Sequence, residues 1–340
     1  MTTKFWNSKK IFITGIDGFV GSNLAKSLIL KGSKIYGLIK DPNKDSLLKF
    51  EKLNYKCKIF KGDIKDKKLL SKIIKNNKIE ICFHLAAQPE VGIANKNPFN
   101  TWETNIKGTY TFLEVLRENK KFIKSVIIAS SDKAYGNYPK SKLPYKETYD
   151  LKPLYPYDVS KACADMISKS YTSEIFNLPI ITTRFSNIYG PGQLNFSAIF
   201  PDSIRSIIKN KPFKPRSNGK DLRDYIFIND IVDVYTLLSE NLYKNKSLSG
   251  EIFNAGNNEP ISVKNLLKLI FFHKNKKKQY KKILNIMKNK KTFGEINFQF
   301  MNYNKLYKFF KWKPKYNISS SLDQTFKWYE KYLKMDNFKH

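Results

Sequence analysis

Apolar residues in the first half of the chain come in short runs, with stretches of helical spacing between them. Ile11-Phe12-Ile13-Thr14, Lys34 to Ile39, Cys57-Lys58-Ile59-Phe60, Ile79 to Leu85, Ser125-Val126-Ile127-Ile128-Ala129 and Pro179 to Arg184 each read as a strand. Several of these runs lack polar alternation, as expected for strands covered on both faces. Ser22 to Leu28, Lys67 to Asn76, the stretch through Asn105, Leu113 and Leu116, and Ala162, Ala164, Met166 and Ile167 carry the helical pattern. Strand alternating with helix specifies an α/β fold built on a parallel, doubly wound sheet.

The rhythm changes after Arg184. Pro and Gly become frequent from 190 to 219, and the elements shorten. This predicts a dinucleotide-type domain over 1–185. A smaller C-terminal α/β lobe over 186–340 binds substrate, with some of its elements interleaved with the first domain. Near the C-terminus, Leu322, Phe326, Tyr329 and Leu333 make a helical stripe that packs against the body.

Composition adds limits. Of the 340 residues, 41% are apolar and 14% aromatic, enough for a large core. No run approaches the ~18 apolar residues of a membrane span. Met1 to Lys10 is polar and lacks the apolar region of a secretory leader, so a cytoplasmic location is expected. Cys57, Cys82 and Cys163 are scattered, which fits a reducing compartment. His84, His273 and His340 are scattered too, and no metal site is expected.

The net charge of +33 raises nucleic acid as a partner. The distribution argues against a specific reader. Only Arg117, Arg184, Arg205, Arg216 and Arg223 are arginines, leaving 57 lysines among the 62 basic residues. Arginine is the usual residue for bidentate phosphate and base contacts. The lysines run along the whole chain, densest from His273 to Lys278 and from Lys281 to Lys291, as a solvated surface would have them.

Candidate chemistry sits at the strand ends. Gly15-Ile16-Asp17-Gly18-Phe19-Val20-Gly21 lies between the first strand and the first helix. Gly15 and Gly18 let backbone N–H groups approach a pyrophosphate, and Gly21 lets helix and strand pack closely. At the end of the second strand, Lys40 suits the 2′-phosphate of NADP and Asp41 the 2′-hydroxyl of NAD, which leaves the cofactor open. Asp63 is placed to reach the adenine end. Ala86-Ala87-Gln88 leaves room for the nicotinamide ribose. Tyr157 and Lys161 stand four apart on one helix face. A Lys ammonium there favours the phenolate and draws its pKa down from ~10, giving a base for neutral pH. Arg223 is a candidate clamp for a diphosphate.

These motifs resemble the extended short-chain dehydrogenase/reductase superfamily, its NAD-dependent epimerases and dehydratases. The likeness runs from about Lys10 to Leu333. It rests on Gly15-xx-Gly18-xx-Gly21, Gly62-Asp63-Ile64, His84-Leu85-Ala86-Ala87-Gln88, Asn105, Ser130-Ser131-Asp132, Tyr157-xxx-Lys161, Arg184-xx-Asn187-x-Tyr189-Gly190-Pro191 and Arg223-Asp224-Tyr225. Ser131-Asp132-Lys133 is most similar to the 4,6-dehydratases, those of CDP-glucose above all. Glu90-Val91-Gly92 departs from that pattern, which has a basic residue after the Val, and leaves the nucleotide open.

The resemblance implies a Rossmann fold, NAD or NADP, and a homodimer or higher homo-oligomer. It puts Gly15, Gly18, Phe19, Val20, Gly21, Lys40, Asp41, Asp63 and Ile64 at the cofactor, with Leu85, Ala86, Ala87, Gln88, Tyr157 and Lys161. Gln88, Ser131, Asn187 and Arg223 would hold a nucleoside-diphosphate sugar. Tyr157 would take the proton of the sugar's 4-hydroxyl while the C4 hydride passes to the cofactor, with Ser131 steering the 4-oxygen. Lys133 would take the C5 proton. Asp132, holding its proton through burial, would protonate the departing 6-hydroxyl. The rival readings are a nucleotide-sugar 4-epimerase, which needs no acid at 132, and a basic nucleic-acid-binding protein without catalysis.

Overall fold

A computed structural model describes residues 3–42, 45–290 and 296–336. Met1, Lys291 and His340 lie outside the described residues. The chain divides into two compact units. The first comprises Met1–Gly136, Glu147–Phe185 and Ile231–Asn254; the second comprises Asn137–Lys146, Ser186–Asp230 and Ala255–His340.

The first unit is organised around a seven-stranded sheet. Its strands are β1 (Lys10–Thr14), β2 (Lys34–Ile39), β3 (Cys57–Lys61), β4 (Ile81–His84), β5 (Ser125–Ala129), β6 (Ile180–Phe185) and β7 (Ile252–Ala255). The order is β7-β6-β5-β4-β1-β2-β3, parallel at each pairing from β6 to β3. Order reverses at β1, where a doubly wound sheet opens a crevice at its carboxyl edge. The unbroken runs are explained by burial: β4 and β6 are buried at every position, and β1 and β5 at all but one. On one face Phe12, Cys82, Val126, Ile128 and Ile180 pack with Leu70, Ile73, Phe112 and Leu116 from the flanking helices.

Four helices of this unit matter for the site: α1 (Phe19–Leu30), α2 (Lys67–Asn77), α3 (Gly108–Glu118) and α4 (Pro156–Ser170). Asp66 caps α2 by accepting from Leu69 N. Just before α3, Glu103–Lys107 forms a π-helical turn. Such turns occur often at functional sites.

The second unit is built from shorter pieces. Asn187–Tyr189 pairs with Tyr225–Phe227 in parallel. Leu222–Arg223 lies between Ile261–Ser262 and Phe298–Gln299. Helices span Ile199–Ile208, Val263–His273, Lys277–Met287, Asn304–Phe310 and Ile318–Asp336. The stripe of Leu322, Phe326, Tyr329 and Leu333 is buried on the last of these. Among the described residues, no helix is long and apolar enough to cross a membrane.

Candidate active site

The glycine turn comes first. Gly15 has φ +68°, and a side chain there would put its Cβ 2.9 Å from Ala86 Cα. At Gly21 a Cβ would stand 2.2 Å from the Gly15 carbonyl oxygen, so helix and turn touch backbone to backbone. Gly18 is the N-cap of α1 and provides no side-chain cap. The first N–H groups of α1, from Phe19 and Val20 onward, are therefore left for an anion. This cradle, closed to a Cβ at Gly15 and Gly21, fits the pyrophosphate of a dinucleotide.

At the end of β2, Lys40 forms an ion pair with Asp63 at 3.0 Å. Asp63 also accepts from Lys65 N at 2.9 Å. Burial raises its pKa, but these partners outweigh burial and hold it below the usual carboxylate range. Asp41 is exposed, whereas Ile64 is buried.

The end of β4 is locked by a hydroxyl relay. Thr14 Oγ1 accepts from Leu85 N and Ala86 N, both at 3.1 Å, and lies 2.9 Å from His84 Nδ1. His84 Nε2 lies 3.0 Å from Thr109 Oγ1, which donates its own proton to Asn105 O. The ring is thus protonated on Nε2 and accepts at Nδ1. Burial, then the Lys161 charge, push its pKa down to about 3.

Asn105, in the π turn, joins two parts of the site. Its Oδ1 accepts from Gln88 N at 2.8 Å. Its Nδ2 donates to Gln88 O at 3.1 Å and to Ser160 Oγ at 2.9 Å. Ser160 in turn donates to Tyr157 O. The Gln88 amide donates to Glu90 O and Thr101 Oγ1. Ala87, between these anchors, is half-buried.

The Ser-Asp-Lys segment follows β5 as a short 3-10 turn, Asp132–Tyr135, capped by Ser131. Ser131 Oγ donates to Asp132 Oδ1 at 3.0 Å. α4 packs on this turn and carries Tyr157 and Lys161 one helical turn apart, both buried. Lys161 Nζ donates to Ala129 O at 2.8 Å, and burial lowers its pKa to about 8. Ser131, Asp132, Tyr157 and Lys161 therefore converge within the first unit.

One expectation is corrected. Lys161 was to draw the Tyr157 phenol down. Instead the phenol is held well above its ordinary value, by burial first and then by the charge of Asp132, with the Ser131 hydroxyl offsetting part of the rise. Buried in apolar surroundings, the phenolate loses more hydration than a lysine committed to Ala129 O returns.

Two candidates lie in the second unit. Asn187 Nδ2 donates to Asp224 O at 3.1 Å. Arg223 is buried and donates from Nη1 to Leu222 O at 3.0 Å and Asn297 O at 3.3 Å. Its sequence neighbour Asp224 accepts from the backbone of Asn257 and Asn258.

Four site residues escaped the sequence reading: Thr14, Thr109, Ser160 and Asp158. The first three are hydroxyls whose roles depend on long-range contacts. Asp158 stood next to Tyr157 inside the quoted motif, and only its burial, at 3% exposed, sets it apart.

Known proteins agree with this architecture. A family model described as GDP-mannose 4,6 dehydratase matches residues 12–325. The dTDP-D-glucose 4,6-dehydratase of Dictyostelium discoideum is 36% identical over 271 residues, 75% of this chain but only 59% of that protein's length. The CDP-glucose 4,6-dehydratase of Salmonella typhimurium is 31% identical over 261 residues, 74% of this chain and 72% of its own. Among solved structures, dTDP-glucose 4,6-dehydratase from Bacillus anthracis in complex with NAD superposes with TM-score 0.81 at 27% identity, covering 95% of this chain and 97% of that one. With a match running from the first strand into the last helix, the chain belongs to the GDP-mannose 4,6 dehydratase family, among the NAD-dependent epimerases and dehydratases.

Proposed function

We propose that the chain is a nucleotide-sugar 4,6-dehydratase that uses NAD. It converts a nucleoside-diphosphate hexose into its 4-keto-6-deoxy form, with CDP-glucose the favoured substrate and dTDP- or GDP-sugars the next candidates. The observation that carries this reading is the acid at 132, buried beside the Ser131 and Tyr157 hydroxyls. A 4-epimerase on the same fold needs the base but no such acid.

Bound NAD would supply the hydride acceptor for C4 and donor for C6, and a positive charge that favours the Tyr157 phenolate. Gly15, Gly18 and Gly21 with the start of α1 hold the pyrophosphate, and Asp63 the adenine end. Lys40, the candidate for a 2′-phosphate, is already paired with Asp63, which supports NAD over NADP. Tyr157 receives the proton of the 4-hydroxyl, and Ser131 orients the 4-oxygen. The C4 ketone then acidifies C5–H. Lys133 takes the C5 proton and later returns it, while Asp132 gives its proton to the 6-oxygen and water leaves. In the second unit, Asn187 and Arg223 are the candidates for the diphosphate.

Phe99, Trp102, Tyr110 and Met166 stay exposed on Pro98–Trp102, α3 and α4, helices that pack side by side. This apolar surface supports a homodimer. The three free cysteines suit a reducing, cytoplasmic setting.

The test presents CDP-glucose, dTDP-glucose, GDP-mannose and UDP-glucose to the purified protein and follows loss of water by mass. Tyr157→Phe should abolish both cofactor reduction and product. Asp132→Asn should reduce the cofactor but lose no water. An Asp132→Asn variant that dehydrates at the full rate sinks the assignment.

A further inference from the structure

Beside the acid of the proposed dehydration lies a second buried carboxylate with no role assigned above. Asp158 sits in the first turn of α4, directly after Tyr157. It is 3% exposed, and Asp132 is 2% exposed. α4 packs on the turn that carries Asp132 and Lys133. Asp132 and Lys133 of that turn act electrostatically on Asp158, and Asp132 and Asp158 both act on Tyr157, its neighbour on the same helix. A first-turn acid also feels the positive end of the helix, which favours its ionised form.

We propose that Asp158 is a positioning residue for the dehydration step: its carboxylate pairs electrostatically with Asp132, so that one proton stays on the pair and the acid remains loaded until the 6-hydroxyl departs. The inference rests on the dehydratase reading. Its physical basis is general. Two like charges close together and out of water do not both ionise in the ordinary carboxylate range, and the pair titrates as a unit. Burial pushes Asp158 up to about 6, Lys133 pulls it back, and the Asp132 charge raises it again. Water loss needs the protonated form of Asp132, whereas the preceding oxidation at C4 does not. Asp158 thereby separates the two half-reactions in their pH dependence. The proton balance is closed: Asp132 gives its proton to the 6-oxygen and water carries it away, Tyr157 releases the 4-hydroxyl proton to solvent, and the pair takes one proton back from solvent after product leaves.

The experiment compares wild type, Asp158→Asn and Asp158→Glu across pH 5–9, reading cofactor reduction and water loss separately. In Asp158→Asn the alkaline limb of water loss should move about one pH unit down, so that the rate at pH 7.5 falls about tenfold. Cofactor reduction should continue and reduced cofactor should accumulate. Asp158→Glu should restore the limb. A uniform loss at every pH with no shift of the limb, as from a merely structural first-turn acid, would overturn the proposal. A second measurement needs no Asp158 variant. The infrared difference between wild type and Asp132→Asn at pH 7 should contain a protonated-carboxyl band, and its absence refutes the pair. If wild type releases water from no nucleotide sugar, the dehydratase reading fails on that result alone, while the infrared measurement still decides the carboxylate pair.

Discussion

Replacing Asn105 by Ala removes the joint between the loop after β4 and the helix that carries Tyr157. Three hydrogen bonds are lost: one from Gln88 N, one to Gln88 O and one to Ser160 Oγ. Each is worth ~0.5–1.5 kcal/mol net, and a buried group left unsatisfied costs ~1–3 kcal/mol. Asn105 is 2% exposed and Ser160 fully buried, so water does not replace the lost partners cheaply. The expected destabilisation is about 3 kcal/mol, read as a shift of the denaturant midpoint at unchanged slope. Turnover should fall about 10–100-fold, because Gln88 and Tyr157 no longer share a fixed frame. Asn105→Asp sharpens the test. Its second oxygen would face Gln88 O and Ser160 Oγ, and Ser160 already spends its proton on Tyr157 O. This variant should be at least as unstable as the Ala variant at pH 7 and should recover below about pH 4, where a protonated carboxyl again donates. A stability loss under 0.5 kcal/mol for Asn105→Ala, or no recovery of Asn105→Asp in acid, would refute the reasoning.

Gly21→Ala should weaken NAD binding at least tenfold in a fluorescence titration, because its Cβ meets the Gly15 carbonyl oxygen at 2.2 Å; Gly92→Ala, with nothing within 4 Å, should leave binding unchanged. The His84 ring should show no NMR titration between pH 8 and 5. Its folded pKa of about 3 lies below the unfolded ~6.5, so its contribution to stability is full above pH 6.5 and is lost as pH falls toward 3. Arg184 forms a buried two-point ion pair with Asp165, at 2.7 and 3.0 Å. Arg184→Met alone should cost about 3–5 kcal/mol in chemical denaturation, and adding Asp165→Leu should recover most of it.

Sequence and structure agree where local pattern decides the outcome. β2 and β5 fall at 34–39 and 125–129 as their apolar runs predict, and the glycine turn lies between strand and helix. β7 carries no such signal. Its four residues, Ile252–Ala255, include a polar Asn254 and lie far along the chain from β6, so neither period nor length marks them. The site divides in the same way. Residue types and spacing bring out Tyr157 and Lys161, and the family resemblance brings out Ser131 and Asp132. The direction of the Tyr157 pKa depends on desolvation, which spacing does not carry. Arg223 reads as a diphosphate clamp in the sequence, and the bonds of its guanidinium to backbone carbonyls of its own unit depend on contacts that the local pattern does not carry.

The interleaving of the first unit bears on synthesis. After β6 ends at Phe185, 66 residues (186–251) must be made before β7 begins at Ile252. At ~5–20 residues per second that takes roughly 3–13 s on the ribosome. Throughout that interval β6 is the edge of an incomplete sheet, with a row of backbone groups unpaired. Its sequence, Ile180-Ile181-Thr182-Thr183-Arg184-Phe185, is rich in β-branched residues. The nascent chain is therefore most open to strand-to-strand aggregation in this window, and a chaperone that shields β6 during translation should raise the soluble yield more than one added after release.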